Sequence, residues 1–421
     1  MGIINVAELK PGMVLAEDLR NRSGRFLLAK GKKLTSKHLR VIKLWGAIEA
    51  NIDGVSRKDV EANATAQLDP VLTEEAEKAM RERFSHTDLE CPAVRQLFRI
   101  CSLRKAEELS NTAEKENQES HDTCKSDVDL NQIPKSLPTK IDPYKLIRHD
   151  INLPSLPDTY AQINETIKKP TSSAHDIGNV ISKDTSLSAR LLKLVNSTFY
   201  GFPSKIDTLS RAVTIVGTRQ LSTLALGMNI INVFKNIPSH LIDMRSFWEH
   251  SIACGISARI IAGYKNIQNT ERLFVAGFLH DIGRLVLYSY VPIHAKNALL
   301  KARYAGSLLH KEEHEIMGFD HTTIGGLLFK KWKLPISLEN SVTYHHIPQK
   351  SKDPLEPAIV NLADIITNAL SMGSSGERFV PPLDPDAWLC IGISPNVLAL
   401  AITQMDRQIE EIVHFLFSDE H

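Results

Sequence analysis

Hydrophobic and polar positions along this chain fall into three successive rhythms. In "GMVLAEDLRNRSGRFLLAKGKKLT" two apolar runs, Met13–Leu19 and Arg25–Ala29, flank the turn-forming "NRSG", a pattern that predicts a β-hairpin. "TSKHLRVIKLWG" reads as a short helix, opened by Thr35 or Ser36 as its cap and stopped by Gly46. A last strand over Ala47–Ile52 would complete a small β-rich module, residues 1–55.

Residues 56–140 read as a connector. "TEEAEKAMRERFSH" and "CPAVRQLFRICSLRKAEEL" carry helical periodicity, with Val94, Leu97 and either Ile100 or Cys101 on one face. The stretch after them, "SNTAEKENQESHDTCKSDVDLNQIPKSLPTK", is polar and poor in large apolar residues. It cannot bury enough surface to offset its ordering entropy, so it reads as a flexible linker.

From residue 141 to 421 the pattern is helix after helix. "SLSARLLKLVNS" sets Leu187, Leu191 and Leu194 on one stripe, and "RAVTIVGTRQLSTLALGMNIINVF" gives two amphipathic segments broken at Gly217. "FWEHSIACGISARIIAGY", "RLFVAGFLHDIGRLVLYSY", "HTTIGGLLFKKW" and "LEPAIVNLADIITNAL" continue the series. Strand-type alternation is missing, so the expected fold is mainly α: a multi-helical domain behind a small N-terminal β-rich module.

Composition narrows the partners. At 421 residues the chain exceeds one ordinary domain. Its 50 basic and 49 acidic residues give a formal charge of +1, which offers no broad attraction to nucleic acid or to an anionic membrane. No apolar run reaches the roughly 18–20 residues of a membrane span. The start "MGIINVAELKPG" has no signal-peptide core, and Val6 stands where a myristoylation pattern needs Ser or Thr. Five scattered cysteines, at 91, 101, 124, 254 and 390, form no CxxC pair. Free thiols in a reducing, cytoplasmic compartment are the expectation.

Chemistry concentrates in the helical region. His250, His280, Asp281, His321, His345, His346 and Asp364 lie on or beside different expected helices. His280 and Asp281, if helical, point roughly 100° apart. Imidazole with carboxylate suits iron, manganese or zinc, and an aspartate can bridge two ions about 3.5–4 Å apart. Such ions lower the pKa of a bound water and make hydroxide for phosphoester hydrolysis. Singly, each residue has a plainer reading: a hydrogen-bonded core histidine, a helix cap at His345–His346, a solvated or N–H-bonded Asp364. The order H…HD…H…HH…D is a stronger signal than any piece.

Residues from about 151 to 375 resemble the HDOD domain, an output domain related to the HD metal-dependent phosphohydrolases. The resemblance rests on "LPSLPDTYAQINETI", "KDTSLSARLLKLVNS", "FWEHSIACGISARIIA", "VAGFLHDIGRLVL", "HTTIGGLLFKKWKLP" and "VTYHHIP". "LKPGMVLAEDLRNRSGRFLLAKGKKLT" is similar to the β-rich module that often precedes HD-GYP phosphodiesterases. Laid over the HD-GYP pattern, the upstream histidine matches His250 and the doublet matches His280 and Asp281. The next histidine matches His321, the paired histidines match His345 and His346, and the last aspartate matches Asp364. Three departures stand out. Ser246 replaces a glutamate one turn before His250, Arg284 replaces the lysine of HD-x-x-K, and "IPQKSKDPLEP" replaces the Gly-Tyr-Pro loop.

The resemblance implies a bacterial regulatory protein whose helical domain is a mostly non-catalytic platform for other signalling proteins, with one or two divalent ions (Fe, Mn or Zn) at the seven residues. The alternative is a metal-dependent phosphohydrolase acting on a nucleotide or cyclic dinucleotide, with Arg284 steadying the phosphate. A third reading, DNA binding through "SRAVTIVGTRQLSTLAL", has Arg219 and Gln220 but few other base- or phosphate-facing groups. "DRQIEEIVHFLF" sets Ile409, Ile412 and Phe415 on one face, for core packing or a homo-oligomer seam.

Overall fold

The computed structural model describes residues 2–6, 9–20, 26–44, 49–53, 69–116, 141–148, 158–169, 171–234 and 237–417. They group into two compact units. One comprises Met1–Asp127 with Ser394–Thr403, the other Val128–Ile393 with Gln404–His421.

In the first unit, strand β1 (Gly2–Asn5) runs antiparallel to the later strand Glu49–Ile52, with Gly2 opposite Ile52 and Asn5 opposite Glu49. The expected hairpin forms between β2 (Leu19–Arg20) and β3 (Phe26–Leu28). It is shorter than the apolar pattern suggests. Val14 bridges to Lys33 and Leu15 to Ile52, which ties the 13–18 stretch to other neighbours. Helix α1 (Ser36–Leu44) and β4 (Glu49–Ile52) complete the module. Its interior is Val6, Leu9, Leu15, Leu19, Leu34, Ile42, Ala50 and Ile52. The turn "NRSG" and the expected stop at Gly46 lie outside the described residues.

Two helices follow, α2 (Pro70–Arg83) and α3 (Pro92–Glu116). Asp69 caps α2 by accepting from the Val71 N–H. Phe84 meets Phe98 edge-on at 5.4 Å between ring centroids. Val94, Leu97 and Cys101 form the buried face of α3, and burial pushes the Cys101 thiol up to about 12. The expected flexible linker, residues 110–140, is helical over 110–116, where α3 runs on past the apolar pattern; residues 117–140 lie outside the described residues.

The second unit begins with α4 (Pro143–Arg148), α5 (Asp158–Lys168), α6 (Ala174–Ser182) and α7 (Thr185–Asn196). Asp184 caps α7, and the predicted stripe of Leu187, Leu191 and Leu194 is fully buried. Each such side chain contributes about 1.5–3 kcal/mol of apolar transfer. Helices α8 (Leu209–Val216) and α9 (Thr218–Ile230) break at Gly217, whose φ of 99° favours glycine. From Leu221 to Ile230 every α9 residue but Thr223 is buried, so the supposed recognition helix is a core helix.

The rest is built around α10 (Met244–Tyr264). From His250 to Ala262 all but Arg259 are buried, the signature of a helix surrounded on all sides. It packs on α11 (Thr270–Phe278) at two small residues. A Cβ on Gly255 would lie 2.7 Å from the Phe274 carbonyl oxygen, and one on Gly277 would lie 2.8 Å from that of Cys254. Then come α12 (Ile282–Tyr290), α13 (Pro292–Ala305), α14 (Leu309–Met317), α15 (His321–Lys331), α16 (Ile336–Tyr344) and α17 (Leu355–Ala369). Helix α17 also packs on α10. Two last helices, α18 (Pro385–Ile391) and α19 (Val397–Phe417), end the chain. On α19 Ile412 is buried and Ile409 is half-buried; the Phe415 side chain lies outside the description. The fold is mainly α, and no described helix is long and apolar enough to cross a membrane.

Candidate metal centre

The seven predicted ligands come from five places on this frame. His250 sits nearly two turns inside α10, and Asp364 is mid-way along α17. His321 opens α15 behind its cap Asp320, and His345 closes α16. The doublet differs from expectation: His280 and Asp281 lie in the turn between α11 and α12, not within one helix. There the Ile282 N–H turns back to the Leu279 carbonyl, and the His280 ring nitrogen Nδ1 contacts the Gly277 carbonyl at 2.7 Å. The turn frees both side chains to face inward.

Six of the seven converge. His250 Nε2 is 3.2 Å from Asp364 Oδ1, and His280 Nε2 is 3.3 Å from both Asp364 Oδ1 and Asp281 Oδ2. Two donors of one tetrahedral ion stand about 3.3–3.4 Å apart when their bonds are roughly 2.0–2.1 Å. Across the Asp281 carboxylate, His321 Nε2 lies 2.9 Å from Oδ1 and 3.4 Å from His345 Nε2. All six are buried. His346 is set to one side: half-buried, with its ring 4.2 Å from those of His345 and His310. The potential ligand atoms of His321, His345 and His346 nevertheless lie within 4.8 Å of one another, as do those of His250, His280 and Asp364.

The ring orientations are fixed from behind. A carbonyl only accepts, so His280 donates through Nδ1 to Gly277 and His345 donates through Nδ1 to Val342 at 2.8 Å. His321 Nδ1 meets Glu313 Oε2 at 2.6 Å. In neutral rings these contacts turn the Nε2 lone pairs inward, the arrangement that metal-ligating histidines adopt. His250 Nε2, His280 Nε2 and Asp281 Oδ1 are buried and lack any well-aligned hydrogen-bond partner. Lone pairs and carboxylate oxygens thus face each other at close range, and such a cage calls for a cation. The residues fit a divalent metal.

Electrostatics point the same way. Burial opposes a charged His280, yet the Asp281 carboxylate beside it holds its pKa well above the ordinary value. Burial likewise opposes His321, but Glu313 and Asp281 outweigh it and Arg284, holding it at about 9. Burial would raise Asp281, and Arg284, His280 and His321 together pull it well below the carboxylate range. His345 is pushed down to about 3 by burial and by the charges of His280 and His321. The carboxylates thus favour positive charge at His280 and His321.

Arg284 contradicts its expected role as a phosphate partner. It is 2% exposed, its Nη1 donates to Asp281 Oδ2 at 2.8 Å and also to Ser375 Oγ, and its Nε donates to Glu313 at 3.3 Å. It points into the protein. Ser246 contributes its carbonyl, which accepts from the Ser374 N–H at 3.0 Å. The stretch in place of the Gly-Tyr-Pro loop is a short turn, Pro348–Lys350, leading into α17. Sequence reasoning missed Glu313, His310, Ser375 and Asn368, which donates to Asp364 Oδ1 at 2.7 Å. Asn368 stands one helical turn beyond Asp364, a spacing visible in the sequence; the other three have no fixed spacing to the ligands, so no motif signals them.

Residues 153–348 match the HDOD domain family. The helical region contains an HDOD domain. The match spans every candidate ligand except Asp364, which the fold adds from α17. A Treponema pallidum (strain Nichols) protein is 26% identical over 217 residues, covering 50% of this chain and 41% of its own length. Among solved structures, an HDOD domain protein of Geobacter sulfurreducens shares 21% identity at a TM-score of 0.56, covering 65% of this chain and 97% of its own. A Shewanella amazonensis SB2B protein described as a candidate phosphohydrolase shares 24% at 0.51, covering 63% and 95%. At these identities the structural likeness carries the fold of the HDOD domain and nothing further.

Proposed function

We propose that this chain is a bacterial signal-transduction protein whose HDOD domain is a non-catalytic interaction platform organised around a buried divalent metal, iron, manganese or zinc. The observation that carries the reading is a complete, pre-oriented ligand set that solvent does not reach. His250, His280, His321 and His345 are each 0% exposed, Asp281 is 2% and Asp364 is 3%. A phosphoester would have to bring its phosphorus to the metal-bound water, and the cation expected to receive it, Arg284, is locked onto Asp281 and Glu313. When bound, the ion would cross-link the α11–α12 turn to α10 and α17. Protein partners, including a second copy of the chain, would read the helical surface so fixed. The N-terminal module, similar to the one preceding HD-GYP domains, would serve as the input or docking end.

Phosphohydrolase activity is the competing reading, favoured by the full H…HD…H…HH…D order. The experiment is metal analysis of protein purified without chelator, followed by turnover of cyclic dinucleotides and nucleoside phosphates beside an Asp281→Ala variant. Bound metal with the same background rate in both proteins is the expected result. Turnover lost in Asp281→Ala would establish the hydrolase, and absence of iron, manganese and zinc would end the metal reading.

A further inference from the structure

The second unit also holds a cleft of about 760 Å³ outside the converging ligand set, between the first turns of α10, the turn that follows α17 and the later part of α19. Small-molecule sites span about 300–1,000 Å³. One wall is apolar, with Met372, Ile409 and Val413 half-buried there. The rest carries charge of both signs.

Those charges are not matched to one another. Arg407 stands three residues before Glu410, and Glu410 four before His414, spacings at which opposite charges on a helix meet. Yet among the described residues none of these three side chains forms an ion pair or a hydrogen bond. The two other carboxylates of the cleft are engaged. Glu249 accepts from Arg245 Nε at 3.0 Å, and Glu411 Oε2 accepts from the Thr198 N–H at 2.8 Å and from the Thr198 hydroxyl. The two Nη groups of Arg245 have no partner among the described residues.

We propose that this cleft is an input site for a zwitterion with an apolar side chain, a free amino acid or a short peptide. The Arg407 guanidinium, with the Nη groups of Arg245, receives the carboxylate. Glu410 receives the ammonium, and the apolar side chain lies on Met372, Ile409 and Val413. A simple anion would meet three carboxylates here and a simple cation two guanidiniums, so neither is matched alone. Neither the cleft nor its charges depend on the metal reading.

The turn under the cleft leads on to Arg284. Gly373, with a φ of 63°, lies so close to α10 that a Cβ there would collide with the Ser246 carbonyl and the His250 backbone nitrogen. The Ser374 N–H donates to that Ser246 carbonyl at 3.0 Å. Ser375 Oγ then accepts from Arg284, and the Ser375 carbonyl accepts from the Tyr288 hydroxyl at 2.8 Å. A ligand seated on Met372 therefore bears on the segment that holds Arg284, a short route from the cleft to the buried centre.

The test is isothermal titration calorimetry of the full chain with leucine and with leucyl-leucine. Each is compared with its amide, which lacks the carboxylate, and with its N-acetyl form, which lacks the ammonium. Saturable binding of at least one zwitterion at one site per chain is expected, and the tighter of the two tells free amino acid from peptide. Its amide and N-acetyl forms should bind about tenfold more weakly or worse, the effect of losing one charged hydrogen bond. Arg407→Gln should diminish the preference over the amide, and Glu410→Gln the preference over the N-acetyl form. Both side chains are exposed, so neither change threatens folding. No binding of either zwitterion would overturn the proposal, as would an amide or N-acetyl form that binds as tightly as its parent. Binding unchanged in Arg407→Gln or in Glu410→Gln would overturn it too.

Discussion

His310 is the residue that most changes the picture of the site's edge. Its ring stacks on His346 at 4.2 Å, and its Nδ1 is buried without a hydrogen-bond partner. Burial, with the charge of His321 next to it, pushes His310 down to about 4. In the unfolded chain an imidazole titrates near 6.5. As pH falls below about 6.5, the unfolded state takes up this proton while the folded state does not, so stability is lost between about 6.5 and 4. Replacing the ring removes that linkage. His310→Gln is expected to flatten the fall of the urea midpoint with decreasing pH across this window, relative to wild type. Parallel slopes for the two proteins would exclude His310 as a contributor. No sequence pattern pointed to it, because its importance comes from a neighbour 36 positions away and not from its own helix.

At the scale of elements, glycines set the crossings that aim the ligands. Gly283, the second residue of α12, passes so close to α15 that a Cβ there would lie 1.9 Å from the His321 carbonyl oxygen. That contact is backbone against backbone and cannot relax by a rotamer change. Overpacking of this kind costs typically about 1–3 kcal/mol, occasionally more. Gly283→Ala is therefore expected to lower the midpoint of denaturant unfolding by at least that much and to weaken metal binding, since the displaced helix carries Asp281 at its start and presses on His321. Gly263 makes a control: a Cβ there meets nothing within 4 Å, so Gly263→Ala should leave metal binding unchanged and should not lower stability, alanine being the better helix former. Equal behaviour of the two variants would mean that the crossing does not position the centre. The sequence pattern read most helices well at this scale, including the 187, 191, 194 stripe and the break at Gly217. It failed at the doublet, where the apolar run from Leu273 to Leu287 looks continuous. The interruption at residues 279–281 is imposed by the bond from the His280 ring to the Gly277 carbonyl and by the inward pull of Asp281 toward Arg284.

For the whole molecule, a bound ion acts as a staple between distant parts of the chain. An ion held at free concentration 100-fold above its dissociation constant adds about 2.7 kcal/mol to stability. In a domain of this size each kcal/mol moves Tm by roughly 2–4 °C. Chelation of the purified protein is therefore expected to lower the Tm of the helical unit by roughly 5–11 °C in differential scanning calorimetry, with recovery on restoring the ion. A Tm indifferent to chelator would mean that the cage is closed by protons and hydrogen bonds alone.

The sequence by itself determined the helical class, the short paired strands near the N-terminus and the inventory of imidazoles and carboxylates. Those follow from local periodicity and residue type, which neighbours in the chain suffice to fix. Tertiary structure alone decided which of those groups meet. His250, the His280–Asp281 turn, His321, His345 and Asp364 come from separate elements, and their approach to hydrogen-bond distance depends on helix crossings that leave no periodic trace. It also turned Arg284 inward. The guanidinium goes where the buried carboxylates of Asp281 and Glu313 and the Ser375 hydroxyl hold it, partners that offset the cost of taking its charge out of water.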